Sequence, residues 1–329
     1  MSELLAGALS VLLATNKEAA LTRLAPAPAT AAISAAAGTN DPVQVEFRAL
    51  LKADDETSDQ VEKWLDALPA GAEVPAELKA RIDEREEALR QRYEEFLRKN
   101  PGHAEARLAY GSFLGDAGDD AGMVLQWEKA RELAPGNPAA WNNLAGHYAH
   151  RGPIEKAFPY MLKATELNPQ EAQYWHSLGT LTFLFRRDAE TFFKTDEQGV
   201  FRKAFEFYGK ALSLQPNSFK LAADVAQTWY GVKPAPAEDE AGRKAAELQV
   251  VESGLKAWTN AFRLATDVPE REGVRLHFAR WQIRARRWDE ARTQLDLVSD
   301  PGLLELKARL ERSWRDRQVL ESSKTNAVP

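Results

Sequence analysis

The sequence predicts an all-α protein built as a solenoid of about five helix pairs with capping helices. Three observations predict it. The fragments KNPGHAEARL, LAPGNPAAWNNL, LNPQEAQYWHSL and LQPNSFKLAADV share one plan. Pro101, Pro135 and Pro169 stand 34 residues apart, and Pro216 follows after 47, which is 34 plus an insertion of 13. Between these prolines the apolar residues recur at helical spacing, and Trp127/Met161 and Ala130/Ala164 keep the same 34-residue step. A fixed period of this length with helical spacing inside it means stacked helix pairs, because each pair leaves an apolar face bare until its neighbour covers it.

The bulk composition agrees. The chain has 329 residues, 44% of them apolar, enough for a sizeable core. Its net charge of −6 gives no global basic character that would draw it to nucleic acid or anionic lipid. The absence of cysteine excludes disulfides, thiolate metal sites and cysteine nucleophiles, without identifying a compartment.

In chain order, residues 1–42 read as a short N-terminal helix followed by a linker. The apolar run from Leu4 to Ala14 is too short to span a bilayer, and Glu3 is the only charge before it, unlike a signal peptide. An amphipathic helix and a cytoplasmic protein are expected, with an atypical export signal as the alternative. Residues 25–42 are small residues and prolines without the bulk to pack a core. Residues 43–100 read as a helical N-terminal cap. Two modest helical patterns, 43–53 and 58–68, precede the turn-rich PAGAEVP. A long charged helix then runs from Ala76 to Asn100, with Leu78, Ile82, Leu89, Tyr93, Phe96 and Leu97 at helical spacing, and Pro101 ends it.

The repeat array covers 101–298, divided as 101–134, 135–168, 169–215, 216–268 and a degenerate 269–298. The second repeat carries Trp141, Leu144, Ala145, Tyr148, Ala157, Met161, Ala164 and Pro169. The first carries Tyr110, Gly111, Leu114, Trp127, Ala130 and Pro135, with Arg107 in place of the opening aromatic and Met123 in place of the first small residue of the second helix. The third carries Trp175, Leu178, Gly179, Ala204, Tyr208, Ala211 and Pro216. The fourth keeps Val225, Ala226, Trp229, Trp258 and Ala261, and the fifth Phe278, Ala279, Ala291, Leu295 and Val298. Insertions over 187–200 and 232–253 fall between the two helices of a repeat and read as lengthened turns with a helical extension. Residues 299–329 read as a C-terminal capping helix, centred on GLLELKARLERSWRDRQ, and a tail.

These residues resemble the tetratricopeptide repeat (TPR) family, including uncharacterised bacterial members. The resemblance implies a right-handed superhelix with the first helix of each repeat on its concave side. It says little about function, because this fold serves many purposes. Inward-facing positions are then Asn142, Asn143 and His150 from the second repeat, and His176, Ser177, Thr180 and Phe183 from the third. The fourth gives Asp224, Gln227 and Tyr230, and the fifth Arg280 and Arg284. Amides and hydroxyls hydrogen-bond an extended peptide, aromatics stack on apolar side chains, and arginines pair with carboxylates or phosphates. One branch of the family clamps the acidic tails of heat-shock chaperones with lysines, asparagines and an arginine. Asn143 matches that clamp, but Leu108, Ser112, Gln173 and Ser177 stand at other clamp positions, so a chaperone tail is not expected.

Other chemical candidates are weaker. His147 and His150 share the HxxH spacing of some metal sites, but His147 falls where Phe113 and Leu181 stand in the flanking repeats, so it is expected to pack between helices. His176 lies one repeat beyond His150, and no carboxylate accompanies the pair as a third ligand. No nucleotide-binding, nucleophile-elbow or HExxH motif is present. The stretch from Arg271 to Arg317 carries 12 basic and 8 acidic residues, a local excess of 12 − 8 = +4, which suits an acidic protein partner better than nucleic acid. The expectation is therefore a non-catalytic scaffold for a protein or peptide, with no cofactor and no metal. The alternatives are a metal-binding or enzymatic site near His150 and His176, or a self-assembling structural protein driven by the N-terminal apolar helix.

Overall fold

The computed structural model describes residues 41–69 and 71–325, and every regular element among them is a helix. The helix and linker expected over 1–42 lie almost wholly outside the described residues. The chain divides after Pro169 into two compact units, each a run of consecutive helix pairs, the local architecture of an α-solenoid.

The first unit opens with α1 (Pro42–Asp66) and α2 (Ala76–Lys99). α1 is one continuous helix, where the sequence suggests two patterns. The polar stretch around Asp55 and Glu56 contains no proline or glycine to break it, and Thr57, buried, donates to the Ala53 carbonyl at 2.8 Å. Two pairs follow, α3 (Ala104–Asp116) with α4 (Asp120–Leu133), and α5 (Pro138–Arg151) with α6 (Ile154–Leu167). Their short connections force the paired helices to run antiparallel. Side-chain caps start several of them: Asp119 accepts from Gly122 N–H, and Asn137 from Ala139 N–H, just before Pro138 at the first helical position. An aromatic stack joins α2 to the repeats, with Tyr93 lying 5.0 Å from Tyr110 and 5.9 Å from Phe113 of α3, centroid to centroid.

Two details explain the repeat pattern. Trp141 Nε1 donates to the Pro135 carbonyl at 2.8 Å, and Arg107 Nη2, 34 residues earlier, donates to the Pro101 carbonyl at 2.7 Å. The arginine that breaks the aromatic pattern thus makes the same closing bond. At Gly111, a Cβ would lie 2.4 Å from Trp127 Cδ1, so only glycine lets α3 and α4 approach this closely. In the corresponding place of the next pair, Ala145 stands with Met161 instead, and both are fully buried.

In the second unit, α7 (Ala172–Leu184) packs on α9 (Glu197–Leu214). The first insertion is the short α8 (Arg186–Phe193), ended by Lys194 in the left-handed region, together with the first turn of α9. α10 (Phe219–Thr228) runs into a 3-10 turn (Trp229–Gly231) and packs on α11 (Glu240–Leu264), whose leading turns absorb the second insertion. α12 (Val268–Arg284) pairs with α13 (Trp288–Asp296), and a 3-10 turn (Pro301–Leu303) leads into α14 (Leu304–Thr325). The fifth pair repeats a bond of the first: Arg275 donates to Gln294 at 3.1 Å as Arg107 does to Gln126 at 3.0 Å, both across 19 residues. Buried Glu272 of α12 accepts from the backbone N–H groups of Ser299 and Asp300, each at 2.7 Å, and from the Ser299 hydroxyl at 3.0 Å. That carboxylate fixes the turn between α13 and α14.

Candidate binding site on the first helices

The first helices of the third, fourth and fifth pairs are α7, α10 and α12, all in the second unit. Their polar residues form two sets of contacts, one between α7 and α10 and one reaching α12. His176 Nε2 of α7 lies 3.6 Å from Asp224 Oδ2 of α10, both almost fully buried. The Tyr208 hydroxyl of α9 donates to Thr180 of α7 at 3.2 Å and accepts from Thr228 of α10 at 3.4 Å. Ser177 and Gln227 are buried beside these residues in sequence, and Gln173, at the exposed start of α7, donates to Ser177 at 3.3 Å.

The second set joins the turn after α10 to α12. The Tyr230 hydroxyl lies 3.0 Å from His277 Nδ1, and the His277 ring stacks on Trp258 of α11 at 3.7 Å with planes 8° apart. Tyr230 also stacks on Trp281, at 4.6 Å and 11°. Arg280 places its guanidinium 4.3 Å from the Tyr230 ring centre, and Arg284 places its own 5.1 Å from the Trp281 ring centre. Burial, and then the charge of Arg280, hold His277 well below the usual histidine range, so its ring is neutral. Burial raises the Tyr230 hydroxyl, against the opposing pull of Arg280 and Arg284.

The expected site residues therefore have different exposures. His176, Thr180 and Gln227 are buried, Phe183, Tyr230 and Arg280 are half-buried, and Arg284 is exposed. Phe183 packs against the core and lies over Phe201 at 6.0 Å. In the first unit, Asn142 and Asn143 of α5 are buried, with Asn142 Nδ2 donating to Asn143 Oδ1 at 3.3 Å, while His150 is exposed. His147 is half-buried with its ring edge-on to Tyr148 at 5.6 Å. His150 and His176 belong to different units. Among the described residues no cluster of three or more histidines, aspartates or glutamates is arranged to hold a metal ion, and no helix is long and apolar enough to cross a membrane.

Sequence reasoning passed over His277, Trp258 and Trp281 as parts of this set. The signal for His277 was present, because residues 277, 280 and 284 share one face of a helix. The two tryptophans were legible only as apolar bulk.

No family model matches the chain. The CTR9 homolog of Arabidopsis thaliana is 41% identical over 64 residues, which are 20% of this chain and 6% of that protein's length. Similar solved structures include pilF of Pseudomonas aeruginosa, 15% identical with a TM-score of 0.48, covering 82% of this chain and 99% of that one. YrrB, a TPR protein with an unusual peptide-binding site, is 12% identical with a TM-score of 0.45, covering 67% and 97%. A thermophilic TPR protein of Thermus thermophilus, TTC0263, is 19% identical with a TM-score of 0.41, covering 64% and 98%. The chain is similar to tetratricopeptide repeat proteins, and the similarity is one of fold.

Proposed function

We propose that the chain is a non-catalytic scaffold that holds an extended peptide or protein segment against the first helices of its pairs. One observation carries this reading. Polar side chains tie α7 to α10 through His176–Asp224 and Thr180–Tyr208–Thr228, and a separate contact ties the turn after α10 to α12 through Tyr230–His277. Groups fixed by mutual bonds lose little further freedom on binding, so more of the contact energy survives as affinity. In the other unit, taken by itself, Asn142, Asn143 and His150 of α5 are proposed as binding residues on a first helix as well. The partner is taken to be a protein or peptide, and neither a chaperone tail nor nucleic acid.

Site-specific photo-crosslinking in cells tests it without disturbing the buried residues. A photoreactive amino acid replaces Gln173 or Lys220 on the first helices, or Arg202 or Lys256 on the second helices α9 and α11. The scaffold reading expects discrete protein adducts from Gln173 and Lys220. Adducts from Arg202 and Lys256 alone would sink it.

A second reading, chemistry at the site, is favoured by the buried His176–Asp224 pair, since a carboxylate beside histidine is a common way to orient its ring. Metal analysis of the purified chain separates the two: a stoichiometric transition metal lost on His176→Gln supports the second reading.

A further inference from the structure

Arg280 and Arg284 differ from the ion-paired arginines of their unit, and from Arg275, which also lies over a ring, that of Phe262, but donates to Gln294. In the same unit Arg186, Arg243, Arg287, Arg292 and Arg309 each have a carboxylate partner within 4.0 Å. Arg280 and Arg284 have no carboxylate within that distance among the described residues, and each is held on a ring, Tyr230 or Trp281. The two rings stack on one another and are fixed in turn, Tyr230 through its hydroxyl on His277 and Trp281 by complete burial. A guanidinium resting on a ring keeps its five N–H donors, which lie in its own plane. The site therefore presents two oriented, uncompensated cations. Like charges one helical turn apart repel, so the arrangement carries a standing cost of a kind that a bound anion removes.

From this geometry we infer that Arg280 and Arg284 bind two carboxylates of an acidic, extended peptide segment, alternate residues of its chain. Side chains four apart on a helix stand about 5–6 Å apart at Cβ. Side chains two apart on an extended strand stand about 6.6–6.8 Å apart on one side. A Glu-x-Glu run thus meets the two guanidiniums in register, and each pair has the fork geometry of arginine with carboxylate. Neutral His277 adds no third charge, and the tyrosine hydroxyl is already engaged with it. The chain's net charge of −6 opposes a polyanion such as nucleic acid and leaves the attraction local to this pair.

The inference rests on the scaffold reading and narrows its ligand. Its test is fluorescence anisotropy of the full chain at low salt with a fluorescein-labelled (Glu-Ala)3 peptide. Saturable binding is expected, with none of the corresponding (Lys-Ala)3 peptide. Arg280→Gln/Arg284→Gln should weaken binding by about tenfold or more, since it removes two charge-assisted bonds. Arg309→Gln/Arg315→Gln on α14 should leave it within about twofold, as expected for exposed, ion-paired arginines. Circular dichroism confirms that both variants remain folded. No saturable binding by the wild type, or equal binding by the Arg280/Arg284 variant, overturns the inference. So does tighter binding of an oligothymidylate through the same two arginines. If the acidic peptide fails while Gln173 and Lys220 still give protein adducts, the ligand class is wrong and the scaffold stands. If both fail, the scaffold reading fails with it.

Discussion

At the scale of single residues, Asp54 shows how a polar side chain is tolerated inside a helical cap. It sits on α1 and accepts a short hydrogen bond from the Tyr93 hydroxyl of α2. Burial raises its carboxyl from the ordinary 3.8 to about 6, Tyr93 opposes the rise, and Asp55 and Asp116 add to it. The folded chain therefore holds this proton more tightly than the unfolded chain does. The stability that Asp54 contributes is full below pH 4, falls between pH 4 and 6, and is level above. The loss amounts to roughly 1–3 kcal/mol. Asp54→Asn keeps an acceptor for Tyr93 and carries no titrating proton. Denaturant melts at pH 4 and pH 7 should then show the variant gaining stability relative to wild type at the higher pH. A constant difference between the two proteins at both values would refute the assignment. The sequence offered no sign of this, because Asp54 stands among acidic neighbours that look uniformly solvated, and its burial comes from Tyr93, 39 residues away.

At the scale of elements, the helix pairs were readable because their signals are local. A proline and a cap open many of the helices, small residues mark the crossings, and the 34-residue step counts them. What was not readable depends on distant partners. α1 looked like two helices because its middle is polar, yet nothing there breaks a helix. Asn142, Asn143 and Gln227 read as inward-facing because the family's geometry puts the first helices on the concave side, but how deeply neighbouring residues cover them was not readable. Arg280 and Arg284 were legible as basic, but the ring beneath Arg280 comes from residue 230, and only the folded chain reveals which arginines lack a carboxylate. The Glu272 clamp is likewise a contact across 27 and 28 residues. Its carboxyl is pushed up by burial but held below its ordinary value by the Ser299 and Asp300 bonds. Glu272→Ala leaves those donors without their acceptor and should cost about 2–3 kcal/mol. Hydrogen exchange should show the loss concentrated in α13 and α14. Unchanged protection there would mean that the apolar contacts of Leu295, Val298 and Leu303 hold the turn unaided.

At the scale of the whole molecule, the division after Pro169 bears on how the chain unfolds. Repeat arrays lose structure in segments, because each pair is stabilised mainly by its neighbours. Gly111→Ala places a methyl group 2.4 Å from the Trp127 ring and strains the first unit. Overpacking costs about 1–3 kcal/mol, offset by up to about 1 kcal/mol from the better helix propensity of alanine. Exchange measured by mass spectrometry should quicken across α3 to α6 and leave the cores of α10 to α12 as slow as in wild type. Equal quickening in both units would show that the division does not survive as an energetic one.

The paired bonds of Arg107 and Trp141 carry a consequence for how such a chain drifts over evolutionary time. What the position must supply is a hydrogen for the prolyl carbonyl six residues back, and a guanidinium does this as well as an indole. Selection on that bond favours a donor and is blind to aromaticity. Repeats can therefore lose the letters by which kinship is recognised while every turn stays closed, so ancestry fades from the alphabet sooner than from the backbone.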